Sequence, residues 1–260
     1  MNEGAGSIAT YVYAVVPSDA RPNVTQRGVD EADRVRTIVS GPVAALVSDV
    51  KAVPVPAERA NLVAHSDVLQ DAVQTSTVLP MRFGIVMPSD DAVRDDLLDA
   101  RRAELEHLLS EVAGRAEMSV KAYYVEDALL ASILTENPSI AQLRDETRRL
   151  PGDGGYYQRI RLGERIASAI DNRRARDSHQ ILDQLAPLAV RSVRDTPTAE
   201  QMLLKASFLV ARDRIPEFRR LVGSLAERAS PLIHFTCLGP LPPYSFVRFD
   251  AGSRALAATP

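Results

Sequence analysis

The apolar residues of this chain keep changing their spacing. Stretches that alternate every second position, as in a half-buried strand, give way to stretches spaced three and four apart, as along one face of a helix, and back again. "TYVYAVV" (Thr10 to Val16) is β-branched and aromatic and stops at Pro17, so it predicts a strand. The polar, broken run that follows reads as a loop. "VRTIVSGPVAALVSDV" holds two apolar runs hinged at Gly41-Pro42, a hairpin signal, because Gly and Pro supply turn dihedrals. From Pro56 to about Thr75, Leu62, Leu69, Ala72 and Val73 share one helical face. "VLPMRFGIVM" is extended, with Pro80 confining it to an edge, a strand start or a bulge. "PSDDAVRDDLLDARRAELEHLLSEVAG" is the clearest helix. Ser89 is its N-cap, Asp90 and Asp91 face the positive end of the dipole, and Gly114 follows its last turn. Leu98, Leu105, Leu108, Leu109 and Val112 form its stripe. "EMSVKAYYVED" predicts another strand. The order β, β-β, α, β, α, β predicts an α+β domain, with helices on one face of a mainly antiparallel sheet.

The middle of the chain is helical. One helix ends before Pro138, and a second, "SIAQLRDETRRL", stops at Pro151. Gly152 to Gly155 form a hinge before a long amphipathic segment from Tyr156 to about Leu185, striped by Ile160, Ile166, Ile170, Ile181 and Leu185. Its arginine-rich part, "DNRRARDSH", is polar all round and is expected to project into solvent or cross between domains. The alternating pattern then returns. "LAVRSVRD" and "QMLLKASFLVAR" predict two strands, "IPEFRRLVGSLAERA" a helix with Phe218, Leu221, Val222 and Leu225 inward, and "PLIHFTCLGP" a last strand. β-β-α-β thus recurs in the second half without any repeat in sequence. The expected division is residues 1–127 as an N-terminal α+β domain, 128–187 as its helical link to a C-terminal α+β domain at 188–239, and 240–260 as a proline- and aromatic-rich strap with a tail.

With 260 residues the chain is long enough to bury a core without staples. Its single cysteine, Cys237, excludes an intramolecular disulfide and a cysteine-built zinc site. The net charge of −3 argues against nucleic acid as a partner. The N-terminus lacks the basic and apolar regions of a signal peptide. No stretch approaches the ~18 apolar residues needed to span a membrane. These features point to a soluble, cytoplasmic protein that neither enters membranes nor binds nucleic acid.

Candidate chemistry is sparse. His234 and Cys237 suggest a nucleophile and base, yet residues three apart on a strand face opposite ways, and Cys237 reads as a small buried hydrophobe. Asp90, Asp91, Asp95 and Asp96 suit a hard cation in principle, but read as dipole complement and solvated surface. "PGDGGYYQRIR" has glycines before a helix but lacks the residues of a phosphate loop, and reads as a linker. His65, His107 and His179 lack metal-ligand spacing and are expected at the surface or rim. The arginine run from 173 to 176 reads as a solvated face, with a basic docking patch as the other reading. No catalytic, cofactor-binding or metal-binding set assembles, so the chain is expected not to be an enzyme and to carry no cofactor.

"GPLPPYSFVRF", from Gly239 to Phe249, remains. Pro240, Pro242 and Pro243 each lack an N–H and fix φ, so a strand entering at Cys237 is not expected to keep pairing through them; Gly239 permits a turn, and residues 240–243 are expected to run extended, like polyproline. Tyr244, Phe246 and Phe249 follow closely enough to strap an apolar surface, on the protein itself or on a partner. A P-x-x-P ligand reading competes, but this stretch abuts a predicted core strand.

"GPLPPYSFV" resembles the G-P-W-P-P-Y-x-F signature of the gas vesicle GvpL/GvpF family, with Leu241 where that family often has Trp. "YVYAVV" resembles the family's opening strand. "VLPMRFGIVMPSDDAVRDDL" is similar to its P-m-r-F-G stretch and following helix, and "EMSVKAYY" to the strand after that. The likeness spans nearly the whole chain in order. It implies two α+β domains, the first a ferredoxin-like variant, linked through helices. It also implies an accessory or minor structural protein of gas vesicle assembly that binds the small hydrophobic major shell protein, with other gas vesicle accessory proteins as further partners. No catalytic residues come with it. Two other classes stay open: a small-molecule enzyme or sensor using the interdomain cleft, and a general adaptor docking through the strap or the long helix.

Overall fold

The computed structural model describes residues 8–22, 24–32, 34–51, 53–150 and 155–247. The strands are β1 (Ala9–Pro17), β2 (Arg36–Ser40), β3 (Val43–Val50), β4 (Leu79–Pro80), β5 (Val86–Met87), β6 (Arg115–Tyr124), β7 (Arg191–Arg194), β8 (Met202–Ala211) and β9 (Ile233–Leu241). The helices are α1 (Arg59–Thr75), α2 (Asp90–Ala92), α3 (Arg102–Val112), α4 (Glu126–Glu136), α5 (Pro138–Arg148), α6 (Tyr156–Leu185) and α7 (Ile215–Ala229). The fold is α+β with two antiparallel sheets, as expected. One runs β2-β3-β1-β4, with β5 also on β1; the other runs β7-β8-β6-β9. With β4 and β5 taken together, both sheets place their strands in the order second, third, first, fourth. The chain divides into two compact units, residues 1–118, 209–212 and 239–260 in the first, and residues 119–208 and 213–238 in the second.

In the first unit β1 is central. Its register against β3 slips between Val12 and Ala14, a bulge at Tyr13. The extra residue reverses the strand's parity. Ala9 and Tyr11 before the bulge, and Tyr13 at it, therefore face the same core as Ala14 and Val16 after it, with Val68, Leu69, Ala72 and Val73 of α1. The other face is also covered. Thr10 donates to Asp90 at 2.8 Å, Arg36 pairs with Asp90 at 2.6 Å, and Ser40 bonds Asp99, so α2 and the turn after it lie over that side. Helices thus cover both faces, where sequence predicted one. The reason lies in composition: β1 and β3 are apolar almost without interruption, the pattern of strands buried on both sides.

The helix expected after Ser89 is present in three pieces. Ser89 caps Ala92 N–H at 3.2 Å, Val93–Asp99 winds as a π-helix, and α3 follows. The wide turn lets Leu97 and Leu98 both bury while Leu105, Leu109 and Val112 keep the stripe; Leu108 is only partly buried. In α1 the buried stripe starts at His65, and Leu62, expected inward, is 44% exposed. The strand "EMSVKAYY", grouped on sequence with the first sheet, is β6 of the second, between β8 and β9. Its alternation signalled a strand, but its partners lie far away in sequence.

In the second unit α7 buries Phe218, Val222 and Leu225, and the Phe208 and Phe218 rings stand 5.2 Å apart. The arginine run is a solvated face only at Arg176, whose side chain is exposed; Arg173 and Arg174 are partly buried. Arg173 bonds Glu136 of α4 and, at 3.1 Å, Asp177, and its side chain is only 13% exposed. Arg174 reaches Asp171 and the Glu200 carbonyl, and Arg176 pairs with Glu136. Tyr124 donates to Asp177 at 2.8 Å. Carboxylates on neighbouring turns and on α4 hold Arg173 and Arg174 in place. Along α6, Ile181 and Leu185 are buried, but Ile160 is exposed.

Candidate functional site

The strap begins inside a strand. β9 continues through Pro240 to Leu241, past the point where the prolines were expected to end pairing. β9 is an edge strand, so one side of it needs no ladder donor, and a proline N that would have no partner is tolerated there. The segment from Pro242 to Val247 is not an extended polyproline run either. Tyr244 N–H reaches the Pro242 carbonyl, and the Phe246 and Val247 N–H groups both reach the Pro243 carbonyl at 3.0 and 3.1 Å. The chain curls into a single tight turn, for which the fixed φ of Pro243 is already suited.

Every polar arm of the turn described here reaches a residue of the first unit. The Pro240 carbonyl accepts from Gln70 Nε2 at 3.0 Å. The Ser245 N–H and hydroxyl both donate to the Glu117 carboxyl group, at 2.9 and 2.8 Å. Glu117 is 5% exposed. Phe246 is 4% exposed and Pro242, Pro243 and Val247 are buried, so these side chains serve packing. Tyr244 keeps 44% of its surface open while its hydroxyl turns inward. Phe249 lies outside the described residues.

That hydroxyl ends a directed chain of hydrogen bonds. Gly84 N–H donates to Tyr11 Oη at 3.0 Å, and Tyr11 Oη lies 2.9 Å from His65 Nδ1; because Tyr244 at the far end gives its proton to a carbonyl, which can only accept, a neutral imidazole accepts from Tyr11 at Nδ1. His65 Nε2 must then carry the imidazole proton, and it donates to Tyr244 Oη at 3.1 Å. Tyr244 in turn donates to the Met81 carbonyl at 3.2 Å. With a neutral imidazole every donor in this chain meets an acceptor. Tyr13 makes a parallel branch, accepting from Val29 N–H and bonding Ser48 Oγ at 2.8 Å. The His65 ring stacks on Tyr13 at 5.8 Å and meets Tyr11 and Phe83 edge-on. His65 was expected at the surface but is 5% exposed. Burial holds its pKa down at about 4, with the Met81 carbonyl acting the other way. Burial likewise pushes the Tyr11, Tyr13 and Tyr244 phenols up.

This network was missed in the sequence. Its signal was His65 on the same helical face as Leu69, Ala72 and Val73, in a chain whose facing strand carries Tyr11 and Tyr13.

These titration-shifted groups do not line the groove of the first unit beside β2. That groove, about 540 Å³, is lined by Ala20, Pro22 and Val24 on one side and by Val39 and Leu46 on the other, beside Arg21 and Arg36. His234 and Cys237 sit three apart on β9; Cys237 is half-buried, which raises its thiol pKa. Among the described residues no three His, Cys, Asp or Glu gather as metal ligands, and no helix is long and apolar enough to cross a membrane.

The sequence model of the family described as gas vesicle synthesis protein GvpL/GvpF matches residues 9–248. The chain is 39% identical to gas vesicle protein F of Streptomyces sp. (strain CB03234) over 92% of its own length and all of that protein's. It is 28% identical to gas vesicle protein F of Nostoc sp., over 94% of this chain and all of that one. The crystal structure of the gas vesicle protein GvpF from Anabaena sp. PCC7120 superposes with a TM-score of 0.81 at 27% identity, covering 94% of this chain and 100% of that one. The chain therefore belongs to the GvpL/GvpF family of gas vesicle synthesis proteins, and its role lies in gas vesicle formation.

Proposed function

We propose that this protein is a non-enzymatic accessory or minor structural component of gas vesicle assembly that holds the hydrophobic major shell protein before or during its polymerisation, in the cytoplasm and at the vesicle. The observation that carries this is the match over residues 9–248, which spans the strands of both sheets and the strap. Shell subunits that are not yet assembled expose apolar surface, and exposed apolar patches aggregate unless covered. A protein with sheet edges and an open aromatic ring can cover them.

We assign the contact to the strap of Pro240, Pro242, Pro243, Tyr244, Phe246 and Phe249, with a division of labour. Phe246 and the prolines fix the turn, and the open ring of Tyr244 meets the partner. The domain reading is likewise a proposal: each unit is a variant of the split β-α-β-β-α-β arrangement, supported by the shared strand order. In the first unit, the described residues between the first two strands hold a short 3-10 turn, Val29–Glu31, and no helix. The small-molecule reading has less support in the first unit, because the shifted Tyr11, His65 and Tyr244 form a closed hydrogen-bond chain away from the groove beside β2.

Deleting the gene in a vesicle-forming host tests the proposal. Vesicles seen by electron microscopy should disappear and return when this chain is supplied in trans. Normal vesicles in the deletion strain would sink it.

A further inference from the structure

The start of α6 carries the most open aromatic surface of the second unit. Tyr157 is 81% exposed and Tyr156 56%, with their rings edge to face at 5.6 Å. Ile160, which its spacing predicted would point inward, is 42% exposed. Leu150 is exposed too and borders the helix start, since a Cβ built on Gly155 would stand 3.3 Å from its own Cβ. Tyr157, Ile160, Arg161 and Glu164 follow one another at three- and four-residue intervals or adjacent to them, so they share one face of the helix, and all are exposed.

Charge sets this face apart from the rest of α6. Lower on the same helix Arg173, Arg174 and Arg176 all have carboxylate partners. Arg161 and Arg165, and Arg148 and Arg149 at the end of α5, make no ion pair among the described residues. Glu164 is the one carboxylate in the first fifteen positions of the helix. Arg161 and Arg165 are four apart, where like charges repel and destabilise an isolated helix. Tyr and Arg are also the residues most enriched where protein interfaces carry their energy.

We propose that this end of α6 docks an acidic amphipathic segment of another protein, its apolar residues on Tyr157 and Ile160 and its carboxylates on Arg161 and Arg165. Charge complementarity selects the partner. A second copy would bring the same basic face and be repelled, and a chain with net charge −3 lacks the broad basic surface that phosphate backbones require. This site lies in the second unit and stands independently of the strap.

Fluorescence anisotropy on the full chain tests it. The probe is a labelled helical peptide patterned with Glu and Leu. Its comparisons are a Lys/Leu peptide of the same pattern, a scramble of the Glu/Leu peptide, and a short DNA duplex. The acidic helical peptide should bind. The double substitution Arg161→Glu with Arg165→Glu should weaken it about tenfold or more, and Tyr157→Ser, which leaves the charges in place, should weaken it by about the same factor. Circular dichroism melts should show both variants folded. Four results overturn the proposal: no binding of the acidic peptide, equal binding of the scramble or the Lys/Leu peptide, tighter binding of DNA, or indifference to either variant.

Discussion

His65 makes the first unit's stability depend on pH in a window where few other groups titrate. Its folded pKa is about 4 against an ordinary value of 6.5, because it is buried. A lowered folded pKa means the unfolded chain takes up the proton first, so stability falls as pH drops from 6.5 toward 4 and is fully present above that window. The whole shift is worth about 3 kcal/mol, and about 2 kcal/mol of it should be lost between about pH 7 and pH 5. The lowered carboxyl pKa values of Asp99 and Glu136 act at lower pH, below their ordinary 3.8 and 4.5. Equilibrium urea unfolding followed by circular dichroism reads the effect; the chain has no Trp, which removes the usual fluorescence probe. His65→Gln should be less stable at pH 7, because the bonds to Tyr11 and Tyr244 are remade imperfectly, but its stability should change much less between the two pH values. Equal pH slopes for wild type and variant, with equal m-values, would refute the buried neutral imidazole.

Gly239→Ala should destabilise by about 2–4 kcal/mol in the same urea assay, since Gly239 sits at φ +144° and a Cβ would overlap Met118 Sδ and lie 2.8 Å from the Glu117 carbonyl. A loss below about 0.5 kcal/mol would mean the strand bends to accept it. Arg173→Leu should cost about 1–3 kcal/mol, because Asp177 and Glu136 both lose a cation that lies largely out of solvent. Hydrogen exchange should place the loss at α4 and the middle of α6. Exchange that rises only in the first unit would contradict that assignment.

Periodicity carried the element order because it reports only local geometry. β1, the Gly41-Pro42 hairpin, the Ser89 cap and the helices of the middle segment all stand where their spacing put them. What periodicity cannot carry is which strand pairs with which, and so β6 went to the wrong sheet. The Tyr13 bulge is invisible for the same reason: it shows only against a partner strand. At the site, the prolines suggested an extended run where the chain curls into a tight turn, and the docking surface depended on His65, a residue 179 positions from Tyr244. A histidine inside an apolar helical stripe was a usable hint of burial. The partners that satisfy it come from three distant segments, and only the fold brings them together.

The central claim is that this chain holds the major shell protein, and capture from a co-expression lysate tests it most directly. The tagged wild-type chain should retain the shell protein, Tyr244→Phe should retain it because the open ring survives, and Tyr244→Ala should lose most of it while remaining folded by circular dichroism. A folded wild-type chain that captures no shell protein would contradict the account, and equal capture by Tyr244→Ala would move the contact away from the strap.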